Sequence, residues 1–205
     1  MELNEILNNL QEEIKFAKTN YVPIIREKSA EYLYNFVRDN VYQNILEIGT
    51  AIGFSGSIII GAGAKTLTTI DINEDYLKMA KNTFAKFGFL DKVTMLFGDA
   101  KNHIEDLKIQ GKKFDMIFLD GAKGQYVNYL PTLAKLLDNN GVIFADNVLL
   151  HGMVESEDKI PHKKRTMVVN LRKYLEKINV YPFETRLVRL EDGIAITKLR
   201  GEENV

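Results

Sequence analysis

In FDMIFLDGAKGQYVNYL, residues 114–130, an apolar run ends in a carboxylate, Asp120, and an ammonium, Lys123, follows three residues later. A second apolar run, GVIFADN, ends in Asp146 and Asn147. Two carboxylates and an amide carbonyl are hard oxygen donors, the kind of set that suits Mg²⁺ or Mn²⁺. Two acids brought to one place repel each other, and a divalent cation offsets that repulsion. The same acids also serve as ordinary N-caps where a strand turns into a helix. Lys123 has its own plain alternative, a solvated lysine at a helix start. Spacing alone leaves both roles open.

A second group of residues lies earlier in the chain. Glu47-Ile-Gly49-Thr-Ala-Ile-Gly53-Phe-Ser55-Gly56 follows an apolar run with the spacing GxxxGxxG. Glycines let a backbone turn tightly and come close to a ligand. The spacing is not the GxGxxG of dinucleotide-binding folds, which argues against an NAD-dependent oxidoreductase. Asp71 closes the next apolar run, 22 residues beyond Gly49, where an acid can accept both hydroxyls of a ribose. Gly98-Asp99-Ala100 closes the third. A glycine-rich turn, a ribose acid and a polar turn on three successive strands together outline a site for an adenosine-containing ligand. A non-catalytic adenosine-binding module would share these features, but it would not need Asp120, Lys123, Asp146 and Asn147.

These residues must be positioned by strands alternating with helices. Strand-like runs occur at 44–48, 65–71, 92–97, 114–120 and 141–146, with helical patterns near 54–62, 74–87, 100–108 and 124–137. Such alternation implies right-handed crossovers and a parallel sheet covered on both faces. Ligands of open α/β sheets bind beyond the carboxyl ends of the strands, where all the candidate residues fall. After a helix near 162–178, FETRLVRL and GIAITKL, separated by Glu191-Asp192, read as an antiparallel hairpin. At the start, Leu3, Ile6, Leu7, Leu10 and Ile14 predict one amphipathic helix over 2–18. Its stripe is expected to cap the domain or to meet a second copy of the chain. The expected organisation is one domain over 1–205, with a helical cap over 1–40, a sheet core over 41–200 and a homodimeric assembly.

Composition sets limits. The chain has 205 residues, 45% of them hydrophobic and 27% charged, and a formal net charge of -1, so its overall field does not hold it to nucleic acid. It lacks cysteine, which excludes thiolate catalysis and cysteine zinc sites. His103, His151 and His162 are too few for a histidine-rich metal site; His103 and His151 receive no role. The opening MELNEILNNLQEEIKFAK is not a signal-peptide pattern, and no apolar run approaches a span of ~20 residues. A soluble cytoplasmic protein without membrane association is expected.

The segments ILEIGTAIGFSG, TTIDIN, GDA, FLDGAKGQY and FADNV resemble the successive motifs of class I S-adenosylmethionine-dependent O-methyltransferases. More narrowly, they resemble the metal-dependent branch that includes catechol and caffeoyl-CoA O-methyltransferases. The resemblance implies a Rossmann-like α/β fold with a seven-stranded, mostly parallel sheet, an antiparallel last strand and helices on both faces. It places Glu47 and Gly49 at the methionine end of the cofactor, Ser55 at its carboxylate, Asp71 at its ribose, and Asp99 and Ala100 around its adenine. Ile25, in YVPIIRE, falls where the N-terminal arm closes over the site, and Asp120 borders the cofactor. Asp120, Asp146 and Asn147 correspond to the ligands of Mg²⁺ or Mn²⁺, and Lys123 to the catalytic lysine.

For the methyl acceptor, Lys159, Lys163, Lys164 and Arg165 form a basic segment in a nearly neutral chain. If Pro161 opens the helix, Lys163, Lys164 and Arg165 crowd a terminus that disfavours cations, and an anionic partner would compensate. A solvated basic face is the plain alternative. NVLLHGMV, KKRT and LEDGIAIT also resemble a bacterial subgroup that methylates 5-hydroxyuridine at the wobble position of tRNA. The resemblance implies the tRNA anticodon loop as partner, with Lys163, Lys164 and Arg165 on its phosphates. A small-molecule diol is the alternative acceptor. Near Arg186, where catechol enzymes carry a substrate-orienting acid, an ungapped reading finds none.

Overall fold

The computed structural model describes residues 1–200; residues 201–205 of the expected 1–205 domain lie outside them. Seven strands take the order β3-β2-β1-β4-β5-β7-β6. β1 is Asn44–Ile48, β2 Thr66–Asp71, β3 Val93–Phe97, β4 Phe114–Leu119, β5 Leu137–Ala145, β6 Phe183–Val188 and β7 Ile194–Leu199. Only β7 runs antiparallel to its neighbours β5 and β6. The chain divides into two compact units, Met1–His103 and Ile104–Val205.

In the first unit, β2 pairs in parallel with both β1 and β3, in a register that sets Glu47 beside Thr69 and Asp71 beside Phe97. Helix α4 (Phe54–Gly61) is buried along its whole length, as FSGSIIIG demands of an element with no polar face. Helix α5 (Glu74–Lys86) starts where the Asn73 side chain accepts from the amides of Asp75 and Tyr76 at 3.0 and 3.1 Å. The expected first helix is two: α1 (Leu3–Asn9) and α2 (Gln11–Asn20), broken at Leu10, whose ψ of 12° leaves the helical range. The break lets Ile6 and Leu10 bury completely. Ile6 lies so close to Gly61 that a Cβ there would sit 2.3 Å from its Cδ1. The apolar stripe therefore caps this unit. α3 (Glu27–Asn40) adds Leu33, Tyr34 and Val37 to the same core.

In the second unit, α6 (Ala100–Ile109) leads into β4, and a short 3₁₀ turn, Lys123–Gln125, precedes α7 (Tyr126–Leu136). β5 begins earlier than the apolar run at 141–146 suggests. Phe114 pairs with Leu137, the register slips, and Met116 then pairs with Val142. A second 3₁₀ turn, His162–Lys164, precedes α8 (Arg165–Ile178), which buries Val168, Leu171, Tyr174 and Ile178 at three- and four-residue spacing. The terminal hairpin forms as expected, with a longer connection: pairing ends at Val188 and Ile194. Glu191 and Gly193 take left-handed φ of 49° and 79° in that connection. Among the described residues no helix is long and apolar enough to cross a membrane.

Candidate active site

The first unit carries the residues expected at the cofactor. The β1–α4 turn needs three left-handed residues, Gly49, Ala51 and Gly53, with φ of 105°, 42° and 81°. Gly53 is the N-cap of α4, and a Cβ there would press on Ala80 at 3.1–3.3 Å. The turn is held by buried side chains. Glu47 is fully buried and accepts from the hydroxyls of Ser55 at 2.5 Å and Thr69 at 2.6 Å, while Thr50 and Thr69 share a hydrogen bond of 2.6 Å. The Ser55 hydroxyl proton is thus committed to Glu47, which leaves the first-turn amides of α4 as the donors for an anionic group.

Asp71 is braced by two backbone donors: Ala51 N–H reaches one carboxylate oxygen at 2.8 Å and Asn73 N–H the other at 2.9 Å. Each oxygen keeps a further lone pair, so the carboxylate is fixed in orientation and still able to accept. Asp99 caps the start of α6 by accepting from Lys101 N–H at 2.9 Å, with Ala100 as the first helical residue. His103, left without a role by sequence, bonds through Nε2 to the Phe97 carbonyl at 2.9 Å and fills the space beside Gly98. Ile25 is buried in the segment between α2 and α3.

The second unit holds the acids and the lysine. Asp120 follows β4, and its Oδ1 accepts from Lys123 Nζ at 3.0 Å, both side chains being mostly buried. Burial raises the Asp120 pKa and the Lys123 ammonium pulls it down, burial winning. Asp146 follows β5 and is fully buried; Oδ1 accepts the Asn147 N–H at 2.8 Å, and Oδ2 has no hydrogen bond. Burial and then the charge of Asp120 push Asp146 up to about 7, against the Asn147 bond and Lys123. Asn147 has a left-handed φ of 55°. Two carboxylates within electrostatic reach, one with an oxygen left over, are an arrangement that a hard cation would complete. Among the described residues no cluster of three or more His, Cys, Asp or Glu could hold a metal; the set expected here has two acids and an amide.

Sequence reading missed two neighbours of this cluster. Glu191, in the β6–β7 connection, also raises the Asp146 pKa. Glu191 follows Arg186 in the hairpin, and Arg186 itself is exposed on β6. Asn170 on α8 donates to the Gly124 carbonyl at 2.7 Å, which fixes the turn bearing Lys123. Lys163, Lys164 and Arg165 are exposed in the 3₁₀ turn and at the first residue of α8, so Lys163 and Lys164 precede the helix proper.

The order of strands, the glycine turn and the acids at successive strand ends define an α/β methyltransferase. The O-methyltransferase family model matches residues 1–200. The chain belongs to that O-methyltransferase family. It is 29% identical over 162 residues to the catechol O-methyltransferase of Bos taurus, covering 74% of this chain and 58% of that enzyme. A Staphylococcus aureus structure, provisionally described as a caffeoyl-CoA O-methyltransferase, is 31% identical. It superposes with a TM-score of 0.83 over 98% of this chain and all of its own. The SAH-bound methyltransferase of Podospora anserina, at 23% identity, shares the fold with a TM-score of 0.82 over 94% of this chain and 88% of its own.

Proposed function

We propose that this chain transfers the methyl group of S-adenosylmethionine, with a divalent cation, to a hydroxyl that has a second oxygen beside it, and that the acceptor is 5-hydroxyuridine in the tRNA anticodon loop. The observation that carries the cation is the buried Asp146 oxygen without a hydrogen bond, next to a second acid. Asp120, Asp146 and Asn147 would hold Mg²⁺ or Mn²⁺. When bound, such a cation favours the oxyanion of a neighbouring hydroxyl.

The chain's own residues supply the rest. Glu47 and Gly49 shape the turn for the methionine end of the donor, Asp71 offers a braced carboxylate to the ribose hydroxyls, and Asp99 and Ala100 frame the adenine. Lys123 balances Asp120 at 3.0 Å. Its amine, once released from that pairing, is the group placed to take the acceptor's proton. Burial of the acids keeps water from competing for them.

For the acceptor, α8 packs on the Lys123 turn through Asn170, and exposed Lys163 and Lys164 lie in the 3₁₀ turn just before that helix, with Arg165 as its first residue. A cation in the first turn of a helix, as Arg165 is, is unfavourable by ~0.3–1 kcal/mol, and RNA phosphates would offset that cost and pair with the two lysines beside it. A base in an anticodon loop is already open to recognition, and its 5-hydroxyl and 4-carbonyl oxygens form a chelating pair, as catechol hydroxyls do. The second reading, a small diol, is favoured by the catechol and caffeoyl-CoA relatives. Labelled S-adenosylmethionine offered with tRNA bearing 5-hydroxyuridine, catechol or caffeoyl-CoA distinguishes them. Label in tRNA alone supports the RNA acceptor, and label in the small diols alone replaces it.

A further inference from the structure

Tyr126, the first residue of α7, is fully buried. Its hydroxyl points at the backbone where two strands end, donating to the Leu119 carbonyl at 2.9 Å and lying 3.3 Å from the Asp146 carbonyl. Leu119 immediately precedes Asp120. The Asp146 N–H already donates to the Leu119 carbonyl at 3.0 Å, so the Tyr126 hydroxyl adds a second tie, from a side chain of α7, to the two strand ends that carry the acids. The ring is held edge-on by Tyr174 of α8, with centroids 5.5 Å apart and planes at 72°, so the hydroxyl cannot swing away without disturbing α8. The Tyr174 hydroxyl, by contrast, is buried with no hydrogen bond within bonding distance. Burial pushes its pKa up, and a hydrogen-bond interaction with Thr197, too long to count as a formed bond, opposes this only in part.

We infer that Tyr126 is a positioning residue: its hydroxyl, added to the backbone bond between Asp146 and Leu119, holds the β4 and β5 ends in place and with them the spacing of Asp120 and Asp146 for a divalent cation. The inference rests on the cation reading above. A hydrogen bond outside the ligand set that orients the ligands is commonly worth 10–100-fold in metal affinity. Loss of this bridge acts on two ligands through their backbone, without removing any ligand atom.

The test is calorimetric titration of Mn²⁺ into the purified full chain, with free Mn²⁺ followed by electron paramagnetic resonance, for wild type, Tyr126→Phe and Tyr174→Phe. Tyr126→Phe is expected to weaken Mn²⁺ binding about tenfold and to leave S-adenosylmethionine affinity unchanged. Tyr174→Phe, which removes a hydroxyl from the same aromatic pair, is expected to bind Mn²⁺ as wild type does. Circular dichroism at the titration temperature separates weaker binding from partial unfolding. If the single variant folds poorly, the double Tyr126→Phe/Tyr174→Phe variant, with an all-apolar ring pair, takes its place. Equal Mn²⁺ affinity in wild type and Tyr126→Phe overturns the inference, as does equal weakening in both single variants. Absence of Mn²⁺ binding by the wild type overturns the cation reading itself, and the inference with it.

Discussion

Replacing Asp146 with Asn should change how stability depends on pH in metal-free protein. The Asp146 carboxyl moves from 3.8 unfolded to about 7 in the fold. Between those values the unfolded chain has released its proton and the folded chain keeps it. Stability therefore falls as pH rises from about 4 to 7 and levels off above. At about 1.4 kcal/mol per pKa unit, the full displacement corresponds to roughly 4 kcal/mol. Repulsion from Asp120 is shared between two acids that titrate together, so roughly 2–4 kcal/mol belongs to Asp146. Urea unfolding after chelation, at pH values from about 4.5 to 8, measures this directly. Asp146→Asn should flatten most of the slope, because the amide oxygen still accepts from Asn147 and no charge is buried. The residual slope should have the same sign, since Asp120 is also raised. Adding Mn²⁺ above pH 7 should restore wild-type stability by mass action and leave the variant unchanged. Stability that is flat or rising over this window in metal-free wild type, or an unchanged slope in the variant, refutes the reasoning.

Asp71→Ala should lower S-adenosylmethionine affinity at least tenfold by calorimetry, since charge-assisted bonds to the ribose are worth roughly 1.5–3 kcal/mol; unchanged affinity places the ribose elsewhere. Replacing Lys163, Lys164 and Arg165 together with Ala should raise the KM for tRNA and flatten its salt dependence, because each phosphate contact releases counterions. S-adenosylmethionine affinity should stay constant, and an unchanged salt slope reduces the cluster to a solvated face. Gly56→Ala should destabilise the chain by roughly 1–3 kcal/mol in urea unfolding, because its Cβ would lie 2.8 Å from Phe84 Cζ and 2.9 Å from Leu67 Cδ2.

The strand ends were legible in the sequence because a buried strand must be apolar and a ligand-facing turn must be polar or glycine. That contrast marks Asp71, Asp120 and Asp146 within a residue of β2, β4 and β5. The break at Leu10 was not legible, because Leu3, Ile6, Leu7, Leu10 and Ile14 keep helical spacing across it, and the close packing of Ile6 on Gly61 is a long-range contact that spacing does not encode. The early start of β5 was hidden by Asp138, Asn139 and Asn140, three exposed polar residues inside a strand, which read as a loop. Within the helical stretch 124–137, nothing in the local pattern sets Tyr126 apart. Its significance lies in two carbonyls from different strands, which no local pattern encodes. Glu191 escaped for the same reason, since only the hairpin turn brings it towards Asp146.

Cation-dependent methyl transfer to the 5-hydroxyl of uridine in tRNA is the reaction proposed for this chain. Its most direct measurement incubates chelated wild-type protein with labelled S-adenosylmethionine and tRNA bearing 5-hydroxyuridine, with and without Mg²⁺ or Mn²⁺, and identifies the labelled nucleoside by mass spectrometry. The expected result is 5-methoxyuridine formed only when the cation is restored, and none from Asp146→Asn. Full methylation in verified metal-free protein, or label that reaches catechol and never tRNA, would contradict the account.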